Sequence, residues 1–196
     1  MKGMKSVMGV TLNDLEEIGA YLRGHFLLTT GRHSDQFFLL ARLTEQPHRL
    51  EEWAGQLAQK LASYRTETVV GPAMGGILPG YAMARQWPGS RFIFAEKASD
   101  GTMEFRRGFR LEHGEPVVIV EDAVTTGSSV DKVVTAVQRA GGIVKALGAL
   151  VDRSPGMERW APTPFEAVVS VRDIPAWEPK DCPLCQQQIP LNWPKR

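Results

Sequence analysis

Apolar and polar positions follow two distinct periods along this chain. Residues 47–64, PHRLEEWAGQLAQKLASY, place Leu50, Trp53, Leu57 and Leu61 on one stripe, which predicts an amphipathic helix. Nearer the start, Thr11 and Asp14 have the spacing of a capping box. The helix they open has Leu12, Leu15, Ile18 and Leu22 on one face and Gly24 as its stop. QFFLLAR then reads as a strand. Four further apolar runs, TVVGPAMGG, RFIFAEK, PVVIVED and VKALGALVD, read as short strands, and helical segments near 77–86 and 129–140 separate three of them. Strands that are apolar throughout and alternate with helices predict an α/β fold, a parallel sheet with helices on both faces.

One stretch departs from that rhythm. ASDGTMEFRRGFRLEHGE contains Asp-Gly and two more glycines, so it reads as a hairpin or a mobile loop, with His113 as a turn residue. The tail from Pro175 is rich in proline and glutamine and should wrap the surface. No internal repeat or low-complexity tract interrupts the pattern.

Composition narrows the function. A length of 196 residues fits a single domain over 1–196. Its core should lie at about 66–153, with flanking elements at about 1–45 and 165–196. The formal net charge of +1 gives no general field for nucleic acid or an acidic membrane, so any anion site must be local. No apolar run approaches a membrane span, and the first residues turn polar too soon for a signal peptide. A cytoplasmic protein is the expectation, and two cysteines make no disulfide framework.

The richest chemistry lies in VVIVEDAVTTGSSV, residues 117–130. Glu121 and Asp122 end a buried strand, and Thr125, Thr126, Gly127, Ser128 and Ser129 lead into a helix. Ligands of open parallel sheets bind beyond such strand ends. The N–H groups of a turn entering a helix bind phosphate. No Gly-Lys-Ser/Thr appears, so this is not a P-loop. Vicinal carboxylates suit the vicinal hydroxyls of a ribose. Strand, acid pair, hydroxyl-rich turn and helix together describe a cradle for a ribose 5-phosphate.

That run is similar to the binding motif for 5-phosphoribosyl 1-diphosphate (PRPP) in type I phosphoribosyltransferases. The resemblance implies their fold, a parallel sheet with helices on both sides, plus a small hood that the N-terminal segment and C-terminal tail would form here. It implies PRPP contacts over Glu121, Asp122, Ala123, Val124, Thr125, Thr126, Gly127, Ser128 and Ser129. Three further stretches, FLLTTGRHSDQFFLLARL, VVGPAMGGILPGYAMAR and LVDRSPG, resemble orotate phosphoribosyltransferases, as does the ending DCPLCQQQIPL. Gly75 and Gly76 would then lie beneath the pyrophosphate, where glycine lets the backbone approach closely. Arg153 would hold the orotate carboxylate by a bidentate pair. Thr125, His33, Phe37 and Phe38 would complete the orotate site. Side chains alternate along a strand, so only one of the two phenylalanines should face it. Where many members of the family carry lysines in the N-terminal segment and pyrophosphate loop, this chain has Arg32-His33 and Gly75. Its catalytic loop is also different, with Lys97 as the best match and Arg106 or Arg107 supplying further charge.

The implied reaction moves the ribose 5-phosphate group of PRPP to orotate. It gives orotidine 5′-phosphate and pyrophosphate, within de novo pyrimidine (UMP) biosynthesis. Mg2+ would be the cofactor, carried in on PRPP near Glu121 and Asp122 rather than held by protein ligands. A homodimer is expected, without nucleic-acid or membrane partners. The alternatives are a phosphoribosyltransferase for another base, and a non-catalytic regulator that senses PRPP. A regulator that bound RNA should show a basic face, and the net charge argues against one. Cys182-Pro-Leu-Cys185 has the spacing of half a zinc site or of a redox pair. One pair cannot complete four ligands, and no histidine lies nearby in sequence. A structural turn is the favoured reading and a metal the other.

Overall fold

The computed structural model describes residues 9–156 and 160–194. Of the first 17 residues, read above against a signal peptide, 1–8 lie outside that range. Helix α1 (Leu12–Glu17) is capped as its spacing predicts, since the Asp14 carboxylate accepts from the Thr11 N–H at 2.6 Å and its hydroxyl at 2.8 Å. It stops earlier than expected, at Gly19 with φ +70°, a conformation that glycine adopts freely. Leu22 and Gly24 therefore belong to strand β1 (Tyr21–Leu27), which pairs antiparallel with β2 (His33–Phe38). The QFFLLAR run ends as a strand at Phe38, and its arginine lies in the short helix α2 (Ala41–Thr44).

The predicted amphipathic helix is α3 (Pro47–Lys60), with Leu50, Trp53 and Leu57 buried, and a 3-10 turn at Ala62–Tyr64 follows it. Next come β3 (Thr68–Pro72), α4 (Ile77–Gln86), β4 (Arg91–Lys97), β5 (Met103–Phe105), β6 (Pro116–Val124), α5 (Ser128–Arg139) and β7 (Ile143–Asp152). With β8 (Phe165–Ser170), the central sheet has the order β5-β4-β3-β6-β7-β8, parallel except for β5. Its last strand, β8, falls within the segment expected to flank the core. The core sheet thus reaches Ser170, because Leu147 to Asp152 pair with Phe165 to Ser170. Short helix α6 (Pro183–Gln186) lies in the tail.

Period-two alternation divides the core. Val118 and Val120 pack with α3 and α4 on one face, whereas Val117 and Ile119 pack with α5 on the other. The divergent segment 98–115 begins as the hairpin β4–β5, and His113 sits in a turn before β6. No helix among the described residues is long and apolar enough to cross a membrane.

Candidate functional site

β3 and β6 are neighbours, yet the chain leaves β3 for β4 on one side and β6 for β7 on the other. Such a reversal opens a crevice at the carboxyl ends of the strands. The loop after β3 and the turn after β6 meet there.

The two acids at the end of β6 face different neighbours: Glu121 the turn that follows, and Asp122 the loop after β3. Glu121 lines a cavity of about 40 Å³ with the 123–130 segment. One water needs roughly 10–15 Å³, so a larger polar group fits. Gly127 enters α5 with φ +75°, which turns the backbone around this space. Glu121 is buried, and desolvation followed by the adjacent charge of Asp122 pushes its carboxyl up to about 9. The acid facing the turn is therefore protonated at neutral pH. With its charge suppressed, the acid in that cavity does not repel an anion.

Asp122 faces the other loop. A Cβ placed on Gly75 would stand 2.8 Å from its Oδ2, and one on Gly76 would strike Pro72 and the Val120 carbonyl. Only glycine permits this approach of the 73–76 backbone to β6. Oxygen donors beside an open backbone are what a hard divalent cation takes, so Asp122 fits Mg2+.

Arg153 follows β7, and its backbone N–H donates to the Val124 carbonyl at 2.7 Å. That bond sets it beside the turn. Its guanidinium carbon stands 4.5 Å from the Phe38 ring centroid. Its Nε is buried and has no hydrogen-bond partner among the described residues. Burial lowers its pKa, though an arginine stays charged. A flat cation stacked on an aromatic ring, with a donor to spare, is a receptor for a planar carboxylate. Phe38 is the inward phenylalanine, while Phe37 packs on Phe26 with centroids 5.6 Å apart.

Other expected residues lie elsewhere. Lys97 is exposed at the end of β4. Arg106 is ion-paired with Glu104, and Arg107 with Glu96 through bonds of 2.9 and 3.0 Å. Neither lines the cavity at the turn. Their hairpin lies along α5, where Asp100 to Met103 share a cavity of about 330 Å³ with Lys132, Thr135 and Arg139. His33 is buried, with Nδ1 3.0 Å from His25 Nε2 and 3.3 Å from Cys185 Sγ. It faces that cluster rather than the Arg153 guanidinium. No histidine lies near the two cysteines in sequence, yet the fold brings His25 and His33 to them.

Sequence reasoning passed over the support of Arg153. Buried Asp152 accepts from the Ser154 N–H at 2.9 Å and pairs with Arg172 at 2.6 Å. These bonds hold the 153–154 backbone. Asp152 was legible as an acid ending a strand. Arg172 was not, because only the β7–β8 register brings it near.

A family model described as the phosphoribosyl transferase domain matches residues 41–175. The orotate phosphoribosyltransferase of Thermotoga maritima is 43% identical over 180 residues, 92% of this chain and 94% of that protein. Among solved structures, Mycobacterium tuberculosis orotate phosphoribosyltransferase with inorganic phosphate aligns with TM-score 0.66 and 23% identity, over 81% of this chain and 92% of that one. Adenine phosphoribosyltransferase from Thermoanaerobacter pseudethanolicus aligns with TM-score 0.65 and 19% identity, over 80% and 99%. The last two share the fold alone, and it is common to enzymes named for different bases.

Proposed function

This chain belongs to the phosphoribosyl transferase domain family, and on that premise we propose that it transfers the ribose 5-phosphate group of PRPP to orotate. The products are orotidine 5′-phosphate and pyrophosphate, a step of pyrimidine nucleotide synthesis. The observation that carries the choice of base is Arg153, stacked on Phe38 with a buried Nε that has no partner among the described residues. Orotate is a planar ring bearing a carboxylate, which matches both features.

The turn from Thr125 to Ser129 receives the 5-phosphate. Protonated Glu121 donates a hydrogen bond into that pocket. Asp122 takes the ribose hydroxyls from the loop side, and the Gly75–Gly76 backbone lies against the diphosphate. Asp122 is also the residue that would hold Mg2+ arriving with PRPP, and the ion, when bound, offsets diphosphate charge. Bond breaking at C1 develops oxocarbenium character. Lys97 offsets charge on the departing pyrophosphate. Arg106 and Arg107 can add to this only by leaving Glu104 and Glu96. Arg153 and Phe38 orient the ring so that its N1 faces C1.

A homodimer is part of the proposal. Exposed Met74 in the loop before α4, with Leu78 and Tyr81 on its first turns, supplies an apolar patch for it, and light scattering tests it. The reaction is tested by pyrophosphate release with orotate and with a panel of other bases, with and without Mg2+. Release that requires PRPP, orotate and Mg2+ together supports the reading. Equal turnover of an uncharged base overturns it.

A further inference from the structure

Two pairs of side chains from opposite ends of the sequence converge beside the N-terminal hairpin. His25 comes from β1, His33 from β2, and Cys182 and Cys185 from the first turn of α6 and its cap. Their ligand atoms all lie within 4.8 Å of one another. His25 Nε2 stands 3.0 Å from His33 Nδ1, 3.5 Å from Cys182 Sγ and 3.7 Å from Cys185 Sγ, and His33 Nδ1 stands 3.3 Å from Cys185 Sγ. His25, His33 and Cys182 are buried.

We propose that these four residues bind one structural zinc ion, which fastens the C-terminal tail to the β1–β2 hairpin. Zinc bonds of about 2.0–2.3 Å in a tetrahedron place neighbouring ligand atoms roughly 3.3–3.8 Å apart. The four separations given above run from 3.0 to 3.7 Å, close to those edges. Two thiolates and two imidazoles also match the softness that zinc takes in closed sites. A two-iron cluster with the same ligands splits the cysteine pair from the histidine pair across two metals. Here sulfur and nitrogen are interleaved around one point.

The surroundings of His25 support the assignment. Its Nδ1 lies 2.7 Å from the Ile189 carbonyl, so that nitrogen carries the proton and Nε2 turns its lone pair to the cluster. A histidine ligand commonly anchors its second nitrogen in this way. Ile189 belongs to the same tail as the cysteines, so one segment supplies both ligands and their support. Backbone pairs flank the site: His33 with Trp177 at 2.8 Å in both directions, and Asn192 with His25 and Leu27 at 2.7 and 3.0 Å. A metal here closes a loop over most of the chain, and its binding energy becomes folding energy.

The protein purified under reducing conditions should contain about one zinc per chain by elemental analysis, as four ligands to one ion require. Cys185→Ser should lower that several-fold, and removal of the metal by a chelator should lower Tm by about 5–10 °C. Because a ligand variant can fail to fold, a second measurement uses the unaltered chain. Reduced, metal-free protein titrated with Co2+ should develop the visible bands of a tetrahedral thiolate site, saturating near one equivalent. Metal content at trace level together with no Co2+ bands overturns the proposal and leaves a hydrogen-bonded cluster. A thiol titration that finds Cys182 and Cys185 joined as a disulfide in the reduced preparation overturns it too.

Discussion

At the residue scale, burial assigns the two acids of the site different duties. Glu121 is pushed up to about 9 from an ordinary 4.5, so the folded chain keeps a proton that the unfolded chain releases. The folded state binds more protons between these values, and stability falls as pH rises from about 4.5 to about 9. Glu121→Gln removes that slope. In thermal melts at pH 5, 7 and 9 the variant should gain on the parent as pH rises, and a constant gap would contradict a protonated Glu121. Arg153 makes a complementary prediction. Arg153→Lys keeps a charge but loses the planar fork and the stack on Phe38. Losing hydrogen bonds to a charged partner costs about 1.5–3 kcal/mol, or roughly 10- to 150-fold in kcat/KM for orotate. PRPP affinity should stay as it was, and an equal loss for both substrates would remove Arg153 from the base site. The sequence showed that these residues matter. It did not show that Glu121 is neutral, because desolvation is a property of packing and not of residue type.

At the element scale, the loop after β3 and the β4–β5 hairpin behave differently. The loop is held tightly against β6. Gly75→Ala would put a methyl 2.8 Å from the Asp122 carboxylate and force one of them to move. Overpacking of this kind costs about 1–3 kcal/mol. Calorimetry should show PRPP affinity falling by tenfold or more in a protein that still folds, and unchanged affinity would mean that Asp122 is not part of the PRPP site. In the hairpin, the chain exposes arginines and then neutralises them with its own glutamates. If Arg107 leaves Glu96 during turnover, Arg107→Ala should lower kcat about tenfold with little change in either KM. A full kcat would leave it as a surface partner of Glu96. Strand and helix periods made β3, β4, β6, β7, α3, α4 and α5 legible before any coordinates. β5 was legible only as one arm of a hairpin or as a mobile loop, and it forms that hairpin with β4, whereas β8 was missed as a sheet strand because it is a short edge strand whose pairing with β7 no local period announces.

At the scale of the whole molecule, the two ends of the chain build one structure. A two-stranded sheet such as β1–β2 is marginal alone in water. This one is completed by the tail, through Trp177 on His33 and Asn192 on Leu27 and His25. It also carries Phe38, which underlies Arg153, so the base site depends on residues near the opposite terminus. The local pattern of neither segment announced this, because each supplies only half of the contacts; only the resemblance implied a hood built from both ends. Ending the chain after Ile174 should therefore loosen residues 21–38 while leaving the central sheet folded. Hydrogen exchange should show faster exchange in β1 and β2 and near-parental protection in β6 and β7. KM should rise for orotate more than for PRPP, since the PRPP turn and loop sit on the central sheet. If β1 and β2 stay protected and both KM values hold, the hairpin stands without the tail, and the base site belongs to the central domain alone.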